Sequence, residues 1–326
     1  MIKKFLAVMM VSVLALAMVG CAAPAPEPTP APEPEAAPTS VKVKANVGDN
    51  VYEELDIPFD PKKVVVLNYA TVDIMDQLGI GDRIVGMIKV GSVPAHLQKY
   101  VDNEKIVNLG GMKDIDMEAV ASLAPDVIFS SDRTASKQKD FEAIAPTMSS
   151  SVAYKMGFYE GWKHNVDNHA KIFGLEDKAE SFYADYEKRI ADMKKIANGQ
   201  TCLLNIFAGG KLNSLGDEGR IALITNDIGF TNLNADKNVN HGDAGSYETL
   251  LEVNPEWMFN LDKDTAVGAE GATLAEDQMD NDVVKQTQAF KNDTIVYLQP
   301  GDVWYMADGG IQAMDIMLSD LEKYVK

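Results

Sequence analysis

Cysteine is almost absent from this chain of 326 residues: Cys21 and Cys202 are its only two. A disulfide framework is thereby excluded, and a cysteine-rich structural zinc site with it. Histidine is nearly as scarce, with His96, His164, His169 and His241 scattered along the sequence. Positive charge is also in deficit, 30 Lys and Arg against 49 Asp and Glu, a formal net charge of -19. Nucleic acid is therefore not an expected partner, and an anionic ligand requires basic side chains gathered locally. No Walker loop, G-x-S-x-G elbow, H-E-x-x-H or C-x-x-C occurs, which turns the reading from catalysis towards binding. The apolar run Phe5 to Val19 falls short of the roughly 20 residues of a membrane span.

What is present begins with an address. Lys3 and Lys4 precede that apolar run, which closes on Gly20-Cys21. A basic start, a short apolar stretch and a small residue before the cut describe an export signal over residues 1–20. Cysteine directly after it marks a bacterial lipoprotein, so Cys21 is the expected lipidation site. Residues 22–40 are nearly all Ala, Pro, Glu and Thr and hold half of the 14 prolines. Such a segment cannot offset its ordering entropy and is expected to be an extended tether. At ~3.1 Å per residue it would reach roughly 60 Å. The expected location is the outer face of the cytoplasmic membrane.

About 285 residues remain, enough for a large core and two lobes. Val64 to Leu67 reads as a strand, Thr71 as the cap of a helix Val72 to Leu78, Gly79 as its stop, and Ile84 to Ile88 as a second strand. Asp116 caps a helix to Leu123, and Pro125 breaks it before Val127 to Phe129. Strands alternating with helices predict an α/β fold with largely parallel sheets. The unit occurs twice: Met117 to Phe129 aligns without gaps on Tyr247 to Phe259. Each copy has Glu at the second helical position, then Pro, an acid, and an apolar strand ending in Phe. Two lobes of similar build are expected, 41–160 and 199–326. Between them, 161–198 reads as helical and forms a bridging spine. Trp162 to Phe173 stops at Gly174, and Asp177 to Ala197 stops near Gly199. In the second piece Phe182, Tyr186, Ile190 and Met193 form an apolar stripe. His164 and His169, five apart, are read as surface or packing residues, and Cys202 as a buried strand residue.

Two loops could carry recognition. His241 lies in the polar, glycine-bearing run Asn238 to Ser246, where it can swing to a ligand or simply face solvent. Trp304-Tyr305 come after the strand Ile295 to Leu298, at the end of a sheet where α/β proteins bind ligands. They serve equally well as core under the last helix.

From about residue 60 onward the chain resembles the substrate-binding lipoproteins of ferric-siderophore ABC importers, in particular the catecholate- and petrobactin-binding subgroup. The resemblance rests on Leu123-Ala124-Pro125-Asp126-Val127-Ile128, Ala143-Ile144-Ala145-Pro146-Thr147, Ala170-Lys171-Ile172-Phe173-Gly174, Asn240-His241-Gly242 and Trp304-Tyr305-Met306-Ala307. It implies two Rossmann-like lobes joined by a long bridging helix, the class III periplasmic-binding-protein fold, with ligand between them. It implies a basic cluster of Arg133, Arg220 and Lys263, the last where relatives commonly carry Arg, beside Trp304. It implies that His241 and Tyr305 ligate iron when the siderophore is tetradentate. Glu118 and Glu248 match acids that dock onto a permease dimer with its ATPase, although either is also an ordinary first-turn acid. A monomer with no intrinsic cofactor and no enzymatic activity is expected. A haem or cobalamin carrier is the neighbouring alternative, and a lipid-anchored enzyme the distant one.

Overall fold

The computed structural model describes residues 38–47, 51–89, 91–236 and 243–326, the side chains of Asp243 and Ala244 excepted. The export signal, Cys21, most of the tether and His241 lie outside the described residues. Among the described residues no helix is long and apolar enough to cross a membrane.

Two sheets carry the fold. The first runs in the order Tyr52–Pro58, Ser40–Asn46, Thr147–Ser149, Val127–Ser130, Val64–Val66, Ile84–Met87, Val107–Asn108. From Thr147–Ser149 to Val107–Asn108 every pairing is parallel, while the hairpin Ser40–Pro58 adds an antiparallel edge. The second runs Asp243–Ala244, Lys211–Leu215, Thr201–Ala208, Trp257–Asp262, Ile295–Tyr297, with its last three strands parallel.

Central strands of both sheets read as unbroken apolar runs because both faces are covered. Val64 and Val66 enter one core while Val65, between them, enters another with Ile128 and Phe141. The second sheet divides likewise, Leu204 and Phe259 to one side, Leu203 and Met258 to the other. One core cluster is shared by both sheets, passing through the helices Phe158–Phe173 and Glu176–Ala197. Trp162, fully buried, stacks on Tyr159 and meets Tyr183 and Tyr186 edge-on at this crossing. The stripe on the second helix is carried by Tyr183, Tyr186, Ile190 and Met193, with Phe182 at its margin.

The first helix is Tyr69–Gln77, and its cap is Asn68 rather than Thr71. Asn68 Oδ1 accepts the Thr71 N–H at 2.7 Å, so Thr71 is already inside the first turn. His169 is a packing residue: its Nδ1 meets the Asn165 carbonyl at 2.7 Å and its ring lies 4.7 Å from Phe129.

The C-terminal helix Ile311–Leu321 falls within the span expected for the second lobe, yet it packs on Tyr69–Gln77 and Glu176–Ala197. Asp73, fully buried on the first of these, accepts the N–H groups of Gln312 at 2.9 Å and Ala313 at 2.8 Å. A carboxylate from another element thus caps this helix where unpaired amides and the helix dipole favour negative charge. His96 Nε2 lies 3.0 Å from the same carboxylate. Gly310 permits the approach, since a Cβ there would sit 2.2 Å from Asp73 Oδ2.

Candidate ligand-binding cleft

Arg133 lies three residues past the strand Val127–Ser130, in the short 3-10 turn Asp132–Lys137. The Ser131 N–H donates to Thr134 Oγ1 at 3.0 Å, closing that turn and presenting Arg133 at the carboxyl end of the first sheet. Tyr305 comes from the helix Gly301–Met306, after the last strand of the second sheet. The two meet: Arg133 Nη2 donates to the Tyr305 hydroxyl at 2.9 Å. Arg220, from the turn before Leu223–Asp227, donates through Nε to the Tyr305 carbonyl at 3.2 Å. The two guanidinium centres lie 5.1 Å and 4.5 Å from the centroid of the Tyr305 ring. Planar cations against an aromatic face are mutually favourable, and among the described residues each keeps donors free for an anionic guest.

These residues line a cavity of about 610 Å³. Lys113 and Lys155 add two cations to Arg133 and Arg220, facing three carboxylates, Asp132, Glu218 and Asp308. In a chain of net charge -19, this is a local reversal of sign. Asp132 is committed to the first lobe, accepting from Asn46 Nδ2 at 3.0 Å and Ser149 Oγ at 3.1 Å. Asp308 accepts the Tyr154 hydroxyl at 2.6 Å. Burial pushes the Asp308 carboxyl above the usual carboxylate range, against the opposing pull of Arg220.

Trp304 is not in this lining. It is 0% exposed, and its indole N–H donates to Asp320 Oδ2 at 3.0 Å. The expectation that it contacts ligand is corrected: neighbours on a helix point about 100° apart, so Tyr305 faces the cleft and Trp304 the core. The expected loop is itself the helix Gly301–Met306. Lys263 also lies outside the lining, opening the short helix Lys263–Ala266. Glu118 and Glu248 are exposed at the second positions of their helices, which Asp116 and Ser246 cap through their side chains. Sequence reasoning missed Tyr154, Asp308, Lys113 and Lys155. No motif marks them, although Asp308 lies only three residues beyond Tyr305.

Two lobes of α/β build, a spine between them and a polar cavity at the carboxyl ends of their sheets are the arrangement of a solute-binding protein. The family model described as "Periplasmic binding protein" matches residues 64–301, and the chain belongs to that family. Among its relatives is the petrobactin-binding protein YclQ of Bacillus subtilis, 34% identical over 274 residues, 82% of this chain and 83% of that protein. The ferric-anguibactin-binding protein FatB of Vibrio anguillarum is 25% identical over 295 residues, 87% of each chain. The crystal structure of YclQ matches with a TM-score of 0.79, covering 88% of this chain and 99% of that one at 31% identity. The catecholate-siderophore binding protein VctP of Vibrio cholerae matches at 0.80, covering 87% and 99% at 26% identity. The class III periplasmic-binding-protein fold is thereby established.

Proposed function

We propose that this chain captures a ferric siderophore of catecholate type in the cleft and delivers it to an ABC importer. One observation carries the reading. Two guanidinium groups converge on a single phenol in a cavity of a strongly acidic protein. A ferric catecholate is anionic and aromatic, so it suits that arrangement in both charge and shape. The names borne by YclQ, FatB and VctP point the same way. The cargo is iron in its chelate, with Tyr305 and His241 as its protein ligands when the chelator leaves two sites open. Cys21 is the lipid anchor that holds the protein, as a monomer, on the outer face of the cytoplasmic membrane. Glu118 and Glu248 dock the lobes on the permease dimer with its ATPase, and reversing both charges is expected to abolish uptake while ligand binding persists.

The test is a fluorescence titration of the full-length chain with ferric bis-catecholate, ferric hydroxamate, haem and cobalamin. Trp304, buried beside Tyr305, is the reporter. Quenching by the bis-catecholate, weakened in Tyr305→Phe and His241→Ala, is the expected result. No response to catecholates together with quenching by haem or cobalamin overturns it.

A further inference from the structure

The basic side chains explain attraction to an anion, but the cleft also holds a carboxylate where an anion site would be better without one. Asp308 is 9% exposed and lines the cavity. Among the described residues its side chain takes one side-chain hydrogen bond, from the neutral Tyr154 hydroxyl at 2.6 Å. Arg220 and Arg133 act on it through their fields. Its charge is therefore not consumed in a close pair and is felt by whatever fills the cavity.

The other carboxylates do not behave this way. Asp132, whose donors Asn46 and Ser149 are also neutral, is exposed to solvent, and so is Glu218. Lys113 and Lys155, on the opposing side of the balance, are exposed as well. Exposed charges are screened by water and salt, whereas a buried one keeps its reach. The effective field in the cleft is thus set chiefly by the half-buried Arg220 against Asp308, since Arg133 is exposed like the two lysines.

We propose that Asp308 is a specificity-determining residue that sets the charge class of the ligand, favouring a singly anionic ferric chelate over a more highly anionic one. The inference rests on the ferric-catecholate reading above. Repulsion by Asp308 grows in proportion to the ligand's negative charge. A ferric bis-catecholate carries one net negative charge and a ferric tris-catecholate three, so a single carboxylate separates them. Building repulsion against the wrong guest is a general route to selectivity.

The experiment compares the affinities of ferric bis-catecholate and ferric tris-catecholate for the full-length chain and for Asp308→Asn. Asparagine keeps the shape and an oxygen for Tyr154 while removing the charge. The variant is expected to shift the ratio of the two affinities towards the tris-catecholate by about tenfold. Tyr154→Phe keeps the charge and removes the donor, and its ratio is expected to stay within about twofold of the parent, even where both affinities fall. An unchanged ratio in Asp308→Asn overturns the proposal, and so does an equal shift in Tyr154→Phe, which would make hydrogen bonding the cause. If the parent binds both chelates and the ratio does not move, only this inference falls. If it binds neither, the ferric-catecholate reading falls with it.

Discussion

The helix–Pro–acid–strand unit of the first lobe and its copy in the second are alike in their N-caps, their left-handed residue before proline and their acid after it, and differ in the segment beyond the strand. Both helices are capped by the residue before them, Asp116 accepting from Ala119 N–H and Ser246 from Thr249 N–H. Both place a left-handed residue before proline, Ala124 at φ 44° and Asn254 at φ 47°. In each, the acid after proline ties down the start of the neighbouring parallel strand. Asp126 accepts the N–H groups of Lys62 and Lys63, while Glu256 accepts the N–H and hydroxyl of Thr201. Past the strand the copies part. In the same register Arg133 corresponds to Lys263, but Arg133 reaches Tyr305 and Lys263 stays outside the cavity. A shared scaffold can therefore be duplicated while recognition is asymmetric, because scaffold contacts are local and ligand contacts depend on what stands opposite.

The most direct way to break this comparison is to delete the two corresponding cations. Arg133→Ala is expected to weaken ferric bis-catecholate binding about 10- to 100-fold, since it removes a charge-assisted donor at the cavity. Lys263→Ala should change it by no more than about twofold. Equal losses in fluorescence titration would make the two lobes symmetric in recognition after all. The shared device comes next. Asp126→Ala and Glu256→Ala should each cost about 1–2 kcal/mol in urea unfolding, because each strips an acceptor from two donors. A cost in one copy alone would show that the likeness is only geometric.

Acid titration separates the halves further. His169, in the first helix of the spine, is pushed down to about 4 by burial. Asp227, in the second lobe, is pushed up to about 6 by burial, opposed by the hydrogen bond from Tyr159 N–H. Against ordinary values of about 6.5 and 3.9, the two work in opposite directions. The unfolded chain protonates its histidine first, so the His169 contribution is lost as pH falls from about 6.5 to about 4. The folded chain protonates Asp227 first, so its penalty at neutral pH is relieved as pH falls from about 6 to about 4. Asp227→Asn should therefore stabilise the protein at pH 7 by about 1–2 kcal/mol and steepen its loss of stability on acidification. No gain at neutral pH would mean that the charge is already compensated by Lys194. The smallest effect concerns the left-handed residues. Ala124→Gly should stabilise by about 0.5 kcal/mol, and Asn254→Ala should destabilise by about 1 kcal/mol, since Asn254 Oδ1 also accepts the Gln288 N–H at 2.7 Å. Matching signs in thermal melts would remove the backbone argument.

Much of the scaffold was legible because its causes are local. Val64 to Val66, Val127 to Phe129 and Trp257 to Phe259 read as strands from their apolar runs. Pro125 and Pro255 read as breaks, and Gly174 as a stop, which the structure bears out with a left-handed Gly174 at φ 64°. Thr71 was mistaken for a cap because Asn68, three residues earlier, is an equally good one, and sequence does not say which carbonyl begins the helix. Half of the cleft was legible: Arg133, Arg220 and Tyr305 do meet. Trp304 was not separable from Tyr305, since adjacent residues carry no label for the side of the helix that faces the core.

By itself, then, the sequence determined the alternation of strands and helices, the doubled unit and the excess of acid, because periodicity, proline and charge act within a few residues. Only the tertiary structure decided which groups share the cleft. Arg133 and Tyr305 stand 172 residues apart, and Tyr154 and Asp308 stand 154 apart. No local preference can specify such pairs. They exist because packing the two lobes on one spine brings the carboxyl ends of their sheets together, and only there do the two charges and the phenol find each other.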